Sequence, residues 1–319
     1  MLILYVVARA SRFTDIDRDA LRADGHELVE LTGRPSPRAI LAAARADVVV
    51  VWFAGWHAFL PVTVAWLLRK PSLVITGGYD VAATDDGYGM QHGGLRRFVA
   101  RWSLRRATRL MANSESGGRE ARRAAPKAEI DVVHHGIPDL VGGLPEADRS
   151  GALTVGAIDG PNLVRKGLLA FVEAARELPG EPFVLVGKAH DPEAERRLRD
   201  AAPPNVELTG FVDDDELARR YSRAAVYVQA STHEGFGMAV AEAMLAGCIP
   251  VVTPVGALPE VVGDAGVLVE GDDLAGAIGR ALALGDDARR HARERVLERF
   301  TLEQRAAGLR ASLRAAAGT

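Results

Sequence analysis

Short apolar runs alternate along the chain with polar stretches whose hydrophobic residues recur at helical spacing. In the first half the runs are LILYVVA, HELVELT, DVVVVWFA and SLVIT. A polar segment around 15–23 and a helix predicted from about 37 to 45 lie between them, and RLMANS and EIDVVHHG follow. The second half repeats the scheme: ALTVGAI, a helix over 167–178, PFVLVG, a helix over 192–201, NVELTGF, a helix over 215–224, and VYVQAS. Such alternation predicts an α/β protein with two doubly wound, Rossmann-like domains, each a parallel sheet covered on both faces. The Gly/Pro/polar stretch at 140–150 reads as a linker, which sets domains at 1–145 and 146–300. Thr301-Leu302-Glu303-Gln304 has the form of a capping box and starts a last helix over 301–319.

The block 231–253, STHEGFGMAVAEAMLAGCIPVVT, reads as loop, helix and buried strand. Gly235 and Gly237 bracket Phe236, the helix runs from about Met238 to Leu245, and Gly247 ends it. A helix start with unpaired N–H groups suits an anion, and glycines let a diphosphate approach the backbone. Glu242 lies about 8 Å along the axis, at about 1.5 Å per residue. Its carboxylate can accept from both hydroxyls of a ribose. Glu234, before the helix, is placed to meet whatever hangs from the distal phosphate. The plainer reading is a core helix with Glu234 as a favourable charge near its start and Glu242 solvated.

Composition narrows the class. At 319 residues the chain is long enough for two domains, and its apolar runs, such as 48–54, are far short of the ~18 residues of a membrane span. The first ten residues lack a basic start and read as a strand, not a signal peptide. A lone cysteine, Cys248, precludes an internal disulfide and suits a cytoplasmic location. Residues 1–145 hold 19 Lys+Arg against 15 Asp+Glu, hence +4, and the remainder 20 against 27, hence −7. That is no nucleic-acid footprint, but it leaves a mildly basic first half. A helix over 95–109 places Leu95, Phe98, Val99 and Trp102 on one stripe, with Arg96, Arg97, Arg101 and Arg105 opposite. Such a helix, from Leu95 to Arg109, suits peripheral contact with an anionic membrane at its inner face, or ordinary packing with a solvated arginine face.

Four further places carry candidate chemistry. Arg165-Lys166-Gly167 follows the strand ALTVGAI, where a cation stabilises charge building on a leaving diphosphate; otherwise the pair is merely basic residues at a helix start. Gly77-Gly78-Tyr79-Asp80 ends SLVIT, and Asp80 either orients an acceptor hydroxyl or is an ordinary turn residue. Tyr88 and His92 in YGMQHGG suggest a mobile acceptor loop. Asp213-Asp214-Asp215 reads as helix caps in preference to a metal site.

The block EGFGMAVAEAMLAGCIPVV resembles the two-glutamate signature of retaining GT-B glycosyltransferases of family 4, the glycosyl transferases group 1. Its two acids stand eight apart, as Glu234 and Glu242 do. The second half matches segment by segment, through RKGLLAFVEAA, FVLVG, NVELTGFV and LPEVVGDAGVLVEGDD; the first half matches through NSES and VVHHGIP and only loosely before them. The resemblance implies a GT-B fold of two domains facing across a cleft, with the last helix crossing back to the first domain. It implies an enzyme of cell-envelope or polysaccharide biosynthesis that moves a sugar, with retention and without metal or cofactor, from a nucleoside-diphosphate sugar to a sugar, lipid or glycan acceptor. Catalysis would fall to Lys166, Arg165 and Glu234. Gly235, Phe236, Gly237, Met238 and Glu242 would bind the donor, and Gly210, Phe211 and Val212 would border its base. The acceptor side would include Asp80, Tyr88, His92 and Ser11. The sequence departs from the family at Ala157, where an arginine is usual and Arg165 would substitute. It departs also at Arg9-Ala10-Ser11-Arg12, where a glycine pair is usual, and after strand four, where a histidine is. Those departures keep two rivals open: a non-catalytic nucleotide-sugar-binding partner subunit, and a sugar-nucleotide epimerase or hydrolase.

Overall fold

A computed structural model describes every residue except 34, 35, 86, 145–147 and 319. The chain divides into two compact units, Met1–Gly136 with Phe300–Thr319, and Ile137–Arg299.

The first unit contains β1 (Leu2–Val7), α1 (Arg12–Ala23), β2 (Glu27–Thr32), α2 (Arg38–Arg45), β3 (Val48–Trp52), α3 (Trp56–Leu67) and β4 (Ser72–Thr76). It continues through α4 (Gly94–Arg106), β5 (Arg109–Ala112), α5 (Glu115–Ala124) and β6 (Ile130–Val132). All pairings are parallel, in the order β2-β1-β3-β4-β5-β6. Period-two alternation sorts the strand residues onto two cores. Leu4, Val6, Val49, Val51 and Val74 pack with residues of α2 to α5, while Ile3, Tyr5, Val50, Trp52 and Ile75 face Leu21 of α1. One helix cannot cover that second face. Leu309 and Leu313 of the last helix complete it, which is the physical reason the C-terminus packs here.

The second unit contains β7 (Ser150–Val155), α6 (Gly160–Arg165), α7 (Leu168–Glu177), β8 (Phe183–Val186), α8 (Pro192–Ala201), β9 (Val206–Gly210), α9 (Asp214–Arg223) and β10 (Ala224–Gln229). Then follow α10 (Met238–Leu245), β11 (Ile249–Val252), α11 (Leu258–Val262), β12 (Val267–Leu268), α12 (Leu274–Leu282) and α13 (Asp286–Arg299). Its sheet is again all parallel, in the order β12-β11-β10-β7-β8-β9. The final helix α14 (Leu302–Ala317) starts on the expected capping box, Thr301 with Gln304. One turn in, Arg305 is buried, donating to both carboxylate oxygens of Asp17 at 2.8 and 2.6 Å and to the Val133 carbonyl at 2.7 Å.

Two expectations need revision, and one helix was not foreseen. The division falls at 136/137, not at 145/146, because Asp139 accepts from Arg293 of α13 and so draws 137–144 onto the second unit; residues 145–147 of the expected linker lie outside the described ones. The basic helix ends at Arg106, and Arg109 opens β5. Its buried side is Val99, Ala100, Ser103 and Leu104, whereas Leu95 and Phe98 are 64% and 53% exposed. Ser103 is tolerated inside because its hydroxyl donates to the Val99 carbonyl. Finally, α3 had no periodic signature, being apolar all round and interrupted by Pro61.

Candidate functional site

In a parallel sheet every strand ends on the same edge, and loops at that edge carry the ligand chemistry of doubly wound domains. In the second unit that edge is stitched from inside. Tyr227 donates to Gln229, Gln229 to the Ser231 hydroxyl at 2.7 Å, and Thr253 to the Ser231 carbonyl at 2.6 Å. The Thr232 amide bonds to the Arg165 carbonyl at 2.9 Å, joining the loop after β10 to the end of α6. That junction brings the Lys166 ammonium to 2.5 Å from Glu234, with the two side chains 22% and 13% exposed.

Arg165 and Lys166 therefore do not open a helix as expected. They close the short α6, with Lys166 its C-cap, and α7 begins anew at Gly167. The break is required by packing: Gly167 has φ +68°, and a Cβ there would lie 2.0 Å from the Ala230 carbonyl oxygen. A cation at a helix C-terminus is favourable without any ligand, which removes the electrostatic objection to finding basic residues here. Arg165 itself bonds to Asn162.

Two kinds of helix start in the second unit contrast, apart from α11, which begins on Ala257 without a capping side chain. α6, α8, α9 and α12 are capped by the carboxylates of Asp159, Asp191, Asp213 and Asp273. In contrast α7 and α10 start on left-handed glycines, Gly167 and Gly237, with no capping side chain. Both uncapped starts sit at the ligand edge, one after Lys166 and the other after Glu234. First-turn amides that receive no carboxylate from the protein can take one oxygen or more from a bound anion. Around the α10 start Gly235 and Met238 are half-buried, while Phe236 is packed inside.

Glu242, half-buried on α10, accepts from the Tyr221 hydroxyl at 3.3 Å. Burial first, and the Glu242 charge second, push Tyr221 well above the usual phenol range, so it remains a donor. Burial likewise raises Tyr227, and the charges of Glu234 and Glu242 push the same way, which places both acids within electrostatic reach of one ring. Gly210 ends β9 on this same edge, its carbonyl accepting from Gly187 at 3.0 Å; Phe211 follows, 76% exposed, and then Val212. Asp213 caps α9 through the Glu216 amide at 2.8 Å, the capping role read for the acidic triplet. Among the described residues no cluster of three His, Cys, Asp or Glu side chains is arranged for a metal.

The residues expected on the acceptor side belong to the first unit; Asp80 is buried, Ser11 and Tyr88 are half-buried and His92 is exposed. Asp80 is 1% exposed, and its carboxylate accepts from the Ala54 amide at 2.9 Å and the Gly77 amide at 3.0 Å. Those two bonds hold the turn after β4. Ser11 is the N-cap of α1, in a box with Thr14. Tyr88 and His92 lie on a loop with bonds of its own. His92 meets the Tyr88 carbonyl at 2.9 Å, the Tyr79 and Tyr88 rings are 5.1 Å apart, and Met90 and Gln91 donate to the Tyr79 and Ala82 carbonyls. Gln229 and Ser231 at the carboxyl edge, and Tyr221 of α9 against Glu242, were not singled out by the sequence. Only the Tyr221 position carried a signal, a lone aromatic in the polar stretch ELARRYSR.

With that geometry established, the chain can be set beside known proteins. Residues 149–284 match the family model of glycosyl transferases group 1. This group 1 segment holds Arg165, Lys166, Glu234, Glu242 and the 210–212 turn. A serotype-specific mannosyltransferase, WbdA of Escherichia coli, is 37% identical over 109 residues, which is 31% of this chain and 13% of that protein. The chain thus spans only a small part of the length of that curated relative. A sucrose-phosphate synthase from Thermosynechococcus elongatus superposes with a TM-score of 0.76 at 22% identity, covering 96% of each chain. Anabaena HepE, solved in complex with UDP-glucose, superposes with a TM-score of 0.78 at 16% identity, over 98% of this chain and 99% of that one. With two six-stranded parallel sheets and such neighbours, the fold is GT-B, two Rossmann-like α/β domains.

Proposed function

We propose that the protein is a retaining, metal-independent glycosyltransferase of family 4 that moves a hexose from a nucleoside-diphosphate sugar to a sugar, lipid or glycan acceptor. The observation that carries this reading is the 2.5 Å contact of Lys166 with Glu234 beside two helix starts that lack a capping side chain. Lys166 has three N–H donors, and Glu234 takes one. The other two serve the diphosphate oxygens, whose charge grows as the sugar–phosphate bond breaks, so the stabilisation is larger in the transition state than before it. Glu234 holds the lysine and reaches the donor sugar. Glu242, oriented by Tyr221, accepts from the ribose hydroxyls, and the 210–212 turn borders the base. WbdA by name and HepE by its bound UDP-glucose lend support to a hexosyl donor.

A thermal-shift screen of UDP- and GDP-hexoses should single out the donor, since stabilisation grows with concentration over Kd. Calorimetry should then show Glu242→Ala binding that donor several-fold more weakly; equal affinity removes the ribose role. Retention is read from the anomeric proton of the product by NMR. A non-catalytic nucleotide-sugar-binding subunit is the second reading, favoured by the buried Asp80 and the helix-capping place of Ser11 in the first unit. Donor binding without transfer to any acceptor in a lysate would select it, while hydrolysis of donor alone would select a hydrolase.

A further inference from the structure

The outer faces of α3 and α4 carry features that sugar transfer does not use. Leu67, Leu95 and Phe98 are 64%, 64% and 53% exposed, and Trp66 is 44% exposed. Trp102 gathers the rings, with Phe98 5.8 Å and Trp66 6.0 Å away. The Arg106 guanidinium lies 4.5 and 4.6 Å from the Trp102 and Trp66 centroids, a doubled cation–π contact that holds a charge against apolar surface.

The charges here are of one sign. Neither helix contains an Asp or Glu, while α4 holds five arginines and Arg69 and Lys70 follow α3. Several other surface arginines sit opposite acids, as Arg199 does with Glu195 and Arg220 with Glu207 and Glu216. Among the described residues, none of the α4 arginines has a carboxylate within 4.0 Å. Arg101 and Arg105 bond to neutral oxygens, of Gln91 and Ala124. Partial burial, then the like charges of Arg97 and Arg105, pull the Arg101 pKa down. Two hollows open on this surface. One of about 620 Å³ is lined by Trp66, Leu67, Arg69, Lys70 and Arg106, and one of about 340 Å³ by Phe98, Trp102 and the arginines.

An excess of unmatched cations among exposed Leu, Phe and Trp is the pattern of an interfacial anchor: apolar tips enter the acyl boundary and arginines take lipid phosphates. An acidic protein partner would match the charge and leave the apolar tips without a counterpart. We propose that the outer faces of α3 and α4 form a docking surface for an anionic phospholipid bilayer.

The test uses the full chain and vesicles of phosphatidylcholine with or without one-quarter phosphatidylglycerol. The expected result is co-sedimentation with the anionic vesicles at low salt, at least tenfold weaker binding to neutral ones, and tryptophan quenching by brominated lipid. At about 1 kcal/mol per basic residue near the surface, Arg96→Glu with Arg97→Glu should weaken binding by about tenfold or more. Leu95→Ser with Phe98→Ser should weaken it comparably while leaving the salt dependence. All four side chains are exposed or half-buried, so melting temperatures should match the parent. No sedimentation with anionic vesicles, or binding that both double variants retain, or sedimentation without quenching, overturns the proposal. Binding is read without donor or turnover, so it stands or falls apart from the glycosyltransferase reading.

Discussion

At the carboxyl edge of the first sheet, Asp80, Ser11 and the 88–92 loop bond to the backbone and side chains of their own unit, and each polar group there holds a turn or a helix start. At the same edge of the second sheet, Lys166 and Glu234 bond to each other, and two helices begin on glycine without a cap. The two units share one architecture, so topology does not make the difference. Nor do glycine helix starts by themselves, since α3 and α4 of the first unit also begin on glycines, Gly55 and Gly93, without a capping side chain; what differs is that Lys166 and Glu234 pair with each other, whereas Asp80 is taken up by backbone amides of its own turn. A polar residue at a strand end is therefore a poor guide to function until its partners are known.

If the comparison holds, substitutions in the first unit should change stability, and those at the second unit's edge should change binding or turnover. The largest effect should come from Asp17→Ala, which leaves the Arg305 guanidinium buried and unpaired, at a cost of roughly 3–5 kcal/mol in denaturant unfolding. Next, Lys166→Ala should lower kcat by about 10²–10³ with little change in melting temperature. A large fall in melting temperature instead would make Lys166 a structural residue and erase the contrast. Asp80→Ala should cost about 2 kcal/mol of stability by orphaning the Ala54 and Gly77 amides, with donor affinity unchanged. Should Asp80→Ala remove turnover at constant stability, the first edge is functional after all. Tyr221→Phe should weaken nucleotide binding several-fold, about 1 kcal/mol, by loosening Glu242.

The smallest effect is a pH dependence from the first unit. Burial raises Glu120 from its ordinary 4.5 to about 7, with the Asp80 charge adding and Arg123 opposing. The folded state then binds this proton more tightly than the unfolded one, so its contribution is greatest below pH 4.5, falls between about 4.5 and 7, and is constant above. Glu120→Gln should flatten that part of the stability curve measured by thermal unfolding.

Local chemistry was legible wherever it depends on residues near one another in the chain. Alternation of apolar residues marked the strands, Thr301 and Gln304 marked the start of α14, Asp213 marked a cap, and Glu234, Gly237 and Glu242 marked one helix start with an acid on either side. Those patterns are short-range, set by the strand and helix periods and by backbone groups that need a partner within a turn. Only tertiary structure decided which partner each side chain takes. Lys166 meets Glu234, Arg305 meets Asp17, Asp80 meets Ala54, and Leu95 stays in solvent while Ser103 goes inside, across separations that no local period encodes. The identity of a residue limits what bonds it can make, whereas its fold neighbours decide whether those bonds are already taken. That decision separates an edge residue held by its own turn, such as Asp80, from one paired across the chain, such as Lys166 with Glu234.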